Sequence, residues 1–299
     1  MSPRSLTTLA LTDIWHCMRG PFAGAASGGK HRFLVSALTN LGCARHENQD
    51  RVHVLRFHGR AGGALACFVA DGMGGAASGA RAAELAIEVA AKRLRNSGTA
   101  FPLSTLAGAI ADANKAILRE SRAAPDCAGM GTTLSIAWFC NGLLYCAHVG
   151  DSRIYRIRDH RLEQLSQDHS LIADMLRAGL IKEKDARNHP DQNLISRAVG
   201  TNSAMTPDVW CEMDAPRISD RYLLCSDGLH GLLGQDQILG AQAGRSPDAA
   251  CRHLVELARG AGGFDNISVV IAALEAQVGG TAGNRRPTDN RLTAQGKAQ

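Results

Sequence analysis

The sequence predicts a layered α+β fold built on antiparallel sheets. Strand-like runs come in blocks rather than in strict alternation with helices, which argues against a doubly wound parallel sheet. Hydrophobic residues make up 45% of the chain but aromatics only 4%, so the interior has to rest on Ala, Val, Leu and Ile, with 32 glycines for tight turns. At 299 residues the chain is long enough for one large core, which buries about three-quarters of the surface of the unfolded chain.

Residues 1–30 end in a stretch, 23–29, made only of Ala, Gly and Ser, and are expected to be a flexible extension. The folded body, residues 31–275, opens with strand-like runs at 33–38, 52–57 and 64–70. Residues 79–94 and 103–121 carry apolar side chains at three- and four-residue spacings, the period of a half-buried helix. Three more strands follow at 132–139, 143–149 and 153–158, then a helix at 170–178. A strand at 221–225, a helix at 247–259 and a strand at 267–273 complete the body. From 276 to 299 the composition turns to Gly, Thr, Asn and Arg, so this tail is expected to be disordered.

Composition narrows the function classes. The formal charge of +5 is mild and no basic patch is interleaved with aromatics, so no nucleic-acid partner is expected. No apolar run reaches the length of a membrane span. Arg4 precedes an apolar stretch, but Thr7, Thr8 and Asp13 break it, so it does not read as a signal peptide. Nine cysteines, an odd number without a CxxC pair, fit free thiols in a reducing cytoplasm.

Four short motifs each place an Asp at or beside the end of an apolar strand. They are Arg45-His46-Glu47-Asn48-Gln49-Asp50, Asp71-Gly72-Met73-Gly74-Gly75, Gly150-Asp151-Ser152-Arg153 and Ser226-Asp227-Gly228, with Asp265-Asn266 completing the set. One Asp-Gly is ordinarily a turn. Five Asp residues where buried strands surface are harder to dismiss, because converging carboxylates repel unless cations neutralise them. Mg²⁺ or Mn²⁺, hard ions that take oxygen ligands, would do so. Spacing alone does not establish that they converge.

Taken in this order, the motifs resemble those of the metal-dependent Ser/Thr protein phosphatases of the PPM (type 2C) family, over about residues 33–274. The stretch Gln167-Asp168-His169-Ser170, with Ala178-Gly179-Leu180-Ile181, His189-Pro190 and Ser196-Arg197-Ala198-Val199-Gly200, is similar to the flap of the family's bacterial branch. The resemblance implies two stacked antiparallel sheets flanked by helices, an α-β-β-α sandwich, with a flap subdomain at about 168–199. It also implies hydrolysis of phosphoserine and phosphothreonine on proteins by a hydroxide activated by two ions, Mn²⁺ or Mg²⁺. On this resemblance Asp71 bridges both ions, Gly72 lends a carbonyl to one, and Asp227 and Asp265 hold the other. Asp50 acts on the water shell and Arg45 orients the phosphate. Asp151 shares a third, weaker ion with Asp227. Asn266 positions the ligand loop and Thr132 is a support.

Two departures stand out: Gln49 occupies a position that is often Glu, and Met73 one that is a proton-donating His in eukaryotic relatives. Rival motifs fail. Gly72-Met73-Gly74-Gly75-Ala76-Ala77 imitates a dinucleotide fingerprint, but Asp71 would set a carboxylate against the pyrophosphate, and Lys92-Arg93 stands where the ribose acid belongs. His46-Glu47 begins like a zinc-protease motif, but Asp50 takes the place of the second His. The expected partners are phosphoproteins modified by a cognate Ser/Thr kinase, met by a monomer with neither membrane nor nucleic acid involved. Two alternatives remain open: a two-metal phosphohydrolase of small phosphoesters, or an inactive relative serving as a binding module.

Overall fold

The computed structural model describes residues 13–18, 31–59, 62–74, 78–186, 189–191 and 193–276. The chain runs β1 (Asp13–Met18), β2 (His31–Asn40), β3 (Arg51–Gly59), β4 (Gly62–Ala70) and β5 (Gly72–Met73), then α1 (Ser78–Ser97) and α2 (Pro102–Ala123). Next come β6 (Gly131–Thr132), β7 (Leu134–Cys140), β8 (Leu143–Val149), β9 (Arg153–Arg158) and β10 (Arg161–Gln164), followed by α3 (Leu171–Arg177) and α4 (Glu183–Ala186). β11 (Asp208–Glu212), β12 (Arg221–Cys225), α5 (Asp227–His230), α6 (Gln235–Gln242), α7 (Pro247–Gly260) and β13 (Ile267–Ala276) close the fold.

Two antiparallel sheets form the centre. One has the order β1-β2-β13-β12-β9-β10, the other β11-β8-β7-β4-β3. The strands read as continuous apolar runs because both faces are covered. Along β4, Ala64, Ala66, Phe68 and Ala70 point to α1 and α2, whereas Leu65, Cys67 and Val69 point between the sheets. β13 divides in the same way: Val270, Ala272 and Leu274 face the opposite sheet, and Ile267, Val269 and Ile271 face α5–α7. These are the α-β-β-α layers that the resemblance implies.

The scarcity of aromatics shapes the outer layers. α1 presents Ala82, Ala83, Ala86 and Ala90, all fully buried, so its backbone lies close against α2 and the sheet. α2 answers with Leu106, Ile110 and Ile117, and Trp138 fills the space beneath. Truncating a side chain there, as in Ile110→Ala, costs about 2–5 kcal/mol.

Several elements depart from the sequence expectation. Within the extension expected to be flexible, Asp13–Met18 forms an edge strand paired antiparallel with β2, from Asp13↔Asn40 to Met18↔Val35. It occupies the hydrogen-bonding edge that β2 would otherwise leave open. The other residues of that extension, and 277–299 of the tail, lie outside the described residues. The strand expected at 132–139 is broken at Thr133 into β6 and β7, and β6 pairs with β5 rather than with a main sheet. β10 carries one apolar residue and is held by register with β9 across a turn in which Asp159 and His160 take positive φ values of 49° and 58°. Among the described residues no helix is long and apolar enough to cross a membrane.

Candidate active site

The strand ends that carry the five Asp residues meet at one end of the sandwich. Asp50 closes the loop before β3, where an Asx turn fixes it: its N–H donates to Asn48 Oδ1 at 3.0 Å. Its side chain is 1% exposed. Ser226 Oγ donates to its Oδ2 at 2.7 Å, while Oδ1 is buried with no partner.

Asp71 leaves β4 with both backbone groups held. Its N–H donates to Thr133 Oγ1 at 2.9 Å, and its carbonyl accepts from Thr132 Oγ1 at 2.9 Å and Thr133 N–H at 2.8 Å. Thr132 is thus a support for this loop. The next residue has to be Gly, because a Cβ on Gly72 would lie 2.1 Å from the Gly79 carbonyl oxygen at the start of α1. Thr133 Oγ1 also meets Ser152 Oγ at 2.8 Å, tying the Asp71 loop to the turn that carries Asp151.

That turn joins β8 to β9 and hinges on Gly150, whose φ of +111° is a conformation that L side chains rarely adopt. Asp151 is 7% exposed, and its Oδ1 has no partner. Its neighbour Arg153 pairs instead with Asp168 at 2.6 Å, so Asp151 is not neutralised by the nearest cation in sequence. Asp227 begins the short helix α5 after β12, and its Oδ1 is likewise buried and partnerless. His230, one turn on, is bonded through Nε2 to the Asp151 carbonyl at 2.9 Å.

Asn266 locks the last acidic loop to the first. Its Oδ1 accepts from Gln49 N–H at 2.8 Å, and its Nδ2 donates to the carbonyls of Leu41 and Glu47, both at 3.0 Å. Asp265 beside it accepts from Arg45 Nη2 at 2.7 Å. Arg45 is half exposed, and the Asp265 contact raises its pKa, with smaller help from Asp227 and Asp71.

The electrostatics show how near the carboxylates lie. Burial, and beyond it the charges of Asp227 and Asp265, push Asp50 up to about 7. Burial and then Asp227 and Asp168 bring Asp151 to about 7 as well. Burial raises Asp71 well above the carboxylate range, with Asp50, Asp227 and Asp151 adding to it, and Asp227 is raised by burial and Asp265. Asp71 and Asp227 stand within hydrogen-bonding reach of each other, so the pair shares a proton more readily than both carboxyls ionise. The cluster is therefore destabilised when ionised and is relieved by protons or by cations.

Among the described residues no trio of His, Cys, Asp or Glu is already drawn to ligating distance of one point. What the fold supplies is proximity and unpaired oxygens, on Asp50, Asp151 and Asp227. All-oxygen donors with spare lone pairs and surplus negative charge suit Mg²⁺ or Mn²⁺.

Sequence reasoning passed over four supporting residues: Ser226, Thr133, His230 and His148. Ser226 directly precedes Asp227, and Thr133 follows Thr132, so adjacency was the available signal. His148 had none, because it sits within an apolar strand. Buried, it joins Ser135 Oγ at 2.9 Å to the Gly150 carbonyl at 3.0 Å, and its ring lies 4.9 Å from that of His169. His169, at the foot of the expected flap, accepts from Gly150 N–H at 3.1 Å and pairs with Asp208 at 3.0 Å. The flap segment itself holds α3 and α4, and its two ends are joined where Ser170 bridges Ile195 and Ser196 N–H donates to the His169 carbonyl at 2.8 Å.

Comparisons with known proteins agree with this architecture. Serine/threonine phosphatase stp of Listeria monocytogenes is 36% identical over 241 residues, covering 78% of this chain and 92% of that protein. PstP of Mycobacterium tuberculosis, named a serine/threonine protein phosphatase, is 35% identical over 237 residues, and the chain spans 44% of its length. The structure of the PstP catalytic domain in complex with two manganese ions superposes with a TM-score of 0.72 at 33% identity, covering 82% of this chain and 99% of that one. Residues 44–241 match the family described as Protein phosphatase 2C. The chain belongs to that family.

Proposed function

We propose that the chain is a protein serine/threonine phosphatase. It removes phosphate from phosphoserine and phosphothreonine on proteins, using two divalent ions, Mn²⁺ or Mg²⁺, and a third held weakly. The observation that carries this reading is the set of buried, partnerless carboxylate oxygens on Asp50, Asp151 and Asp227, gathered with Asp71 and Asp265. The names of the Listeria and Mycobacterium relatives support the substrate class.

Asp71 would bridge the two ions with the Gly72 carbonyl beside it, and Asp227 and Asp265 would hold the second. Asp151 and Asp227 would share the third. When bound, the ions neutralise the phosphate and acidify a water so that it attacks phosphorus in line at neutral pH. Asp50, with Oδ2 held by Ser226 and Oδ1 unpaired, would accept a proton from the attacking water. Arg45, which donates to Asp265 here, would orient the phosphate through its paired N–H groups. Met73 carries no proton to give the leaving alkoxide, so water supplies it.

Phosphoproteins made by a cognate Ser/Thr kinase would be the substrates, in a cytoplasmic signalling pair, with the phosphatase acting as a monomer. Eight cysteines beyond β1 are free, five of them buried, which suits a reducing compartment. The test compares phosphothreonine and phosphoserine peptides with nucleotides and small phosphoesters. The proposal expects kcat/KM at least about tenfold higher on phosphopeptides. A nucleotide preference of that size would replace it with a small-phosphoester hydrolase, and hydrolysis of neither would make the chain a binding module.

A further inference from the structure

Away from the acidic cluster, the outer face of α2 carries a concentration of the opposite charge. Lys115, Arg119 and Arg122 stand four and three residues apart, so they share one side of the helix. With Leu118, Ala123 and Ser203 they border a concavity of about 550 Å³. Its far wall is the loop after Val199, and that wall is tied down. Buried Asn114, next to Lys115, donates from Nδ2 to the Asn202 carbonyl at 2.9 Å and accepts at Oδ1 from Gly200 N–H at 2.7 Å.

None of the three cations has a carboxylate partner among the described residues. The acids of this helix are engaged elsewhere, Glu120 with Arg81 at 2.7 Å and Asp112 with Arg93 at 2.5 Å. Like charges at this spacing repel, so the fold gains nothing from the arrangement. An open concavity that sets three unneutralised cations beside the apolar Leu118 and Ala123 complements a short acidic peptide. Its carboxylates meet the cationic groups and its methylenes meet Leu118 and Ala123. A nucleic acid fits less well, since no aromatic side chain borders the concavity for bases to stack on.

We propose that this groove docks an acidic segment of a protein substrate, apart from the reacting centre, a reading that rests on the phosphatase assignment above. Docking there raises the effective concentration of the tethered phosphoresidue at the acidic cluster, lowering KM without entering the chemistry. It requires only that the substrate carry acidic residues at a distance the intervening chain can span.

The test uses the full chain and two readouts. Fluorescence anisotropy follows an unphosphorylated Glu-rich peptide at about 0.15 M salt. Steady-state kinetics follow a phosphothreonine peptide with and without a Glu-rich extension, joined by Gly/Ser spacers of about 5, 10 and 20 residues. The extension is expected to lower KM about tenfold at the best spacer with kcat unchanged. The triple variant Lys115→Glu, Arg119→Glu, Arg122→Glu should lose that gain and the peptide binding, while hydrolysing p-nitrophenyl phosphate like the wild type, which also shows it is folded. The control variant Lys92→Glu, Arg95→Glu on α1 should keep both.

Binding retained in the triple variant would overturn the proposal. So would equal loss in the control, which would make the effect one of net charge. So would a single-stranded DNA oligomer that binds more tightly than the peptide. If the wild type hydrolyses no phosphopeptide, the phosphatase assignment fails, and anisotropy then decides the groove alone: loss of binding in the triple variant supports it and retention overturns it.

Discussion

Asp50 sits in an environment at odds with its charge, since a carboxylate 1% exposed beside other acids is pushed up to about 7. The folded, metal-free protein holds a proton there that the unfolded chain releases near pH 4. Asp50 therefore costs stability as pH rises from about 4 through 7, and nothing below that window. In EDTA, Asp50→Asn should be more stable than the wild type by about 2–4 kcal/mol at pH 8, with the gap closing by about pH 4. Urea unfolding across this range checks it, and a gap independent of pH would contradict the assigned cause. Arg45 makes a different prediction. A guanidinium that grips phosphate as a fork is not replaced by an ammonium, so Arg45→Lys should raise KM for phosphopeptide about tenfold with a smaller change in kcat. An unchanged KM would leave Arg45 only its bond to Asp265.

The β8–β9 turn and the flap test the elements. Asp151 sits on a rigid turn, held from beneath by His148, His169 and Thr133, but with one oxygen free. A cation site of two carboxylates is weak. Asp151→Asn should leave tight Mn²⁺ binding in place while lowering turnover and raising the Mn²⁺ concentration needed for activation by about tenfold; calorimetric titration showing the tight sites gone would defeat this. In the flap, Arg177 is 44% exposed, pairs with Asp174 and donates to the Asp168 carbonyl at 3.3 Å, not to the five clustered Asp residues. Arg177→Ala should change phosphoprotein hydrolysis by several-fold and leave a small aryl phosphate nearly untouched, and equal loss on both would make the segment part of the scaffold alone. Elements with a strong period were legible in sequence: α1, α2, α7 and the central strands fall where apolar spacing puts them, within a few residues. β10, β11 and α4–α6 were not, because a lone Leu162, a half-buried edge strand and short helices are fixed by their neighbours rather than by their own pattern. The strand at Asp13–Met18 was missed because the small-residue stretch after it made the whole extension read as flexible.

At the scale of the molecule, the two stacked sheets bring to one place residues as far apart in sequence as Asp50 and Asp265. No local pattern in the sequence carries that convergence, and only the ordered set of motifs pointed to it. The supports were less legible still: Thr133 and Ser226 act through single hydrogen bonds that the fold creates. As proposed above, this buried acidic cluster is a two-ion hydrolytic site. Phosphate release from a phosphothreonine peptide, after exhaustive EDTA treatment and dialysis and again with Mn²⁺ returned, tests it most directly. Without metal no release is expected, with recovery on Mn²⁺ and a loss of at least about 100-fold in Asp227→Asn at saturating Mn²⁺; full activity in the metal-free protein would overturn the two-ion site.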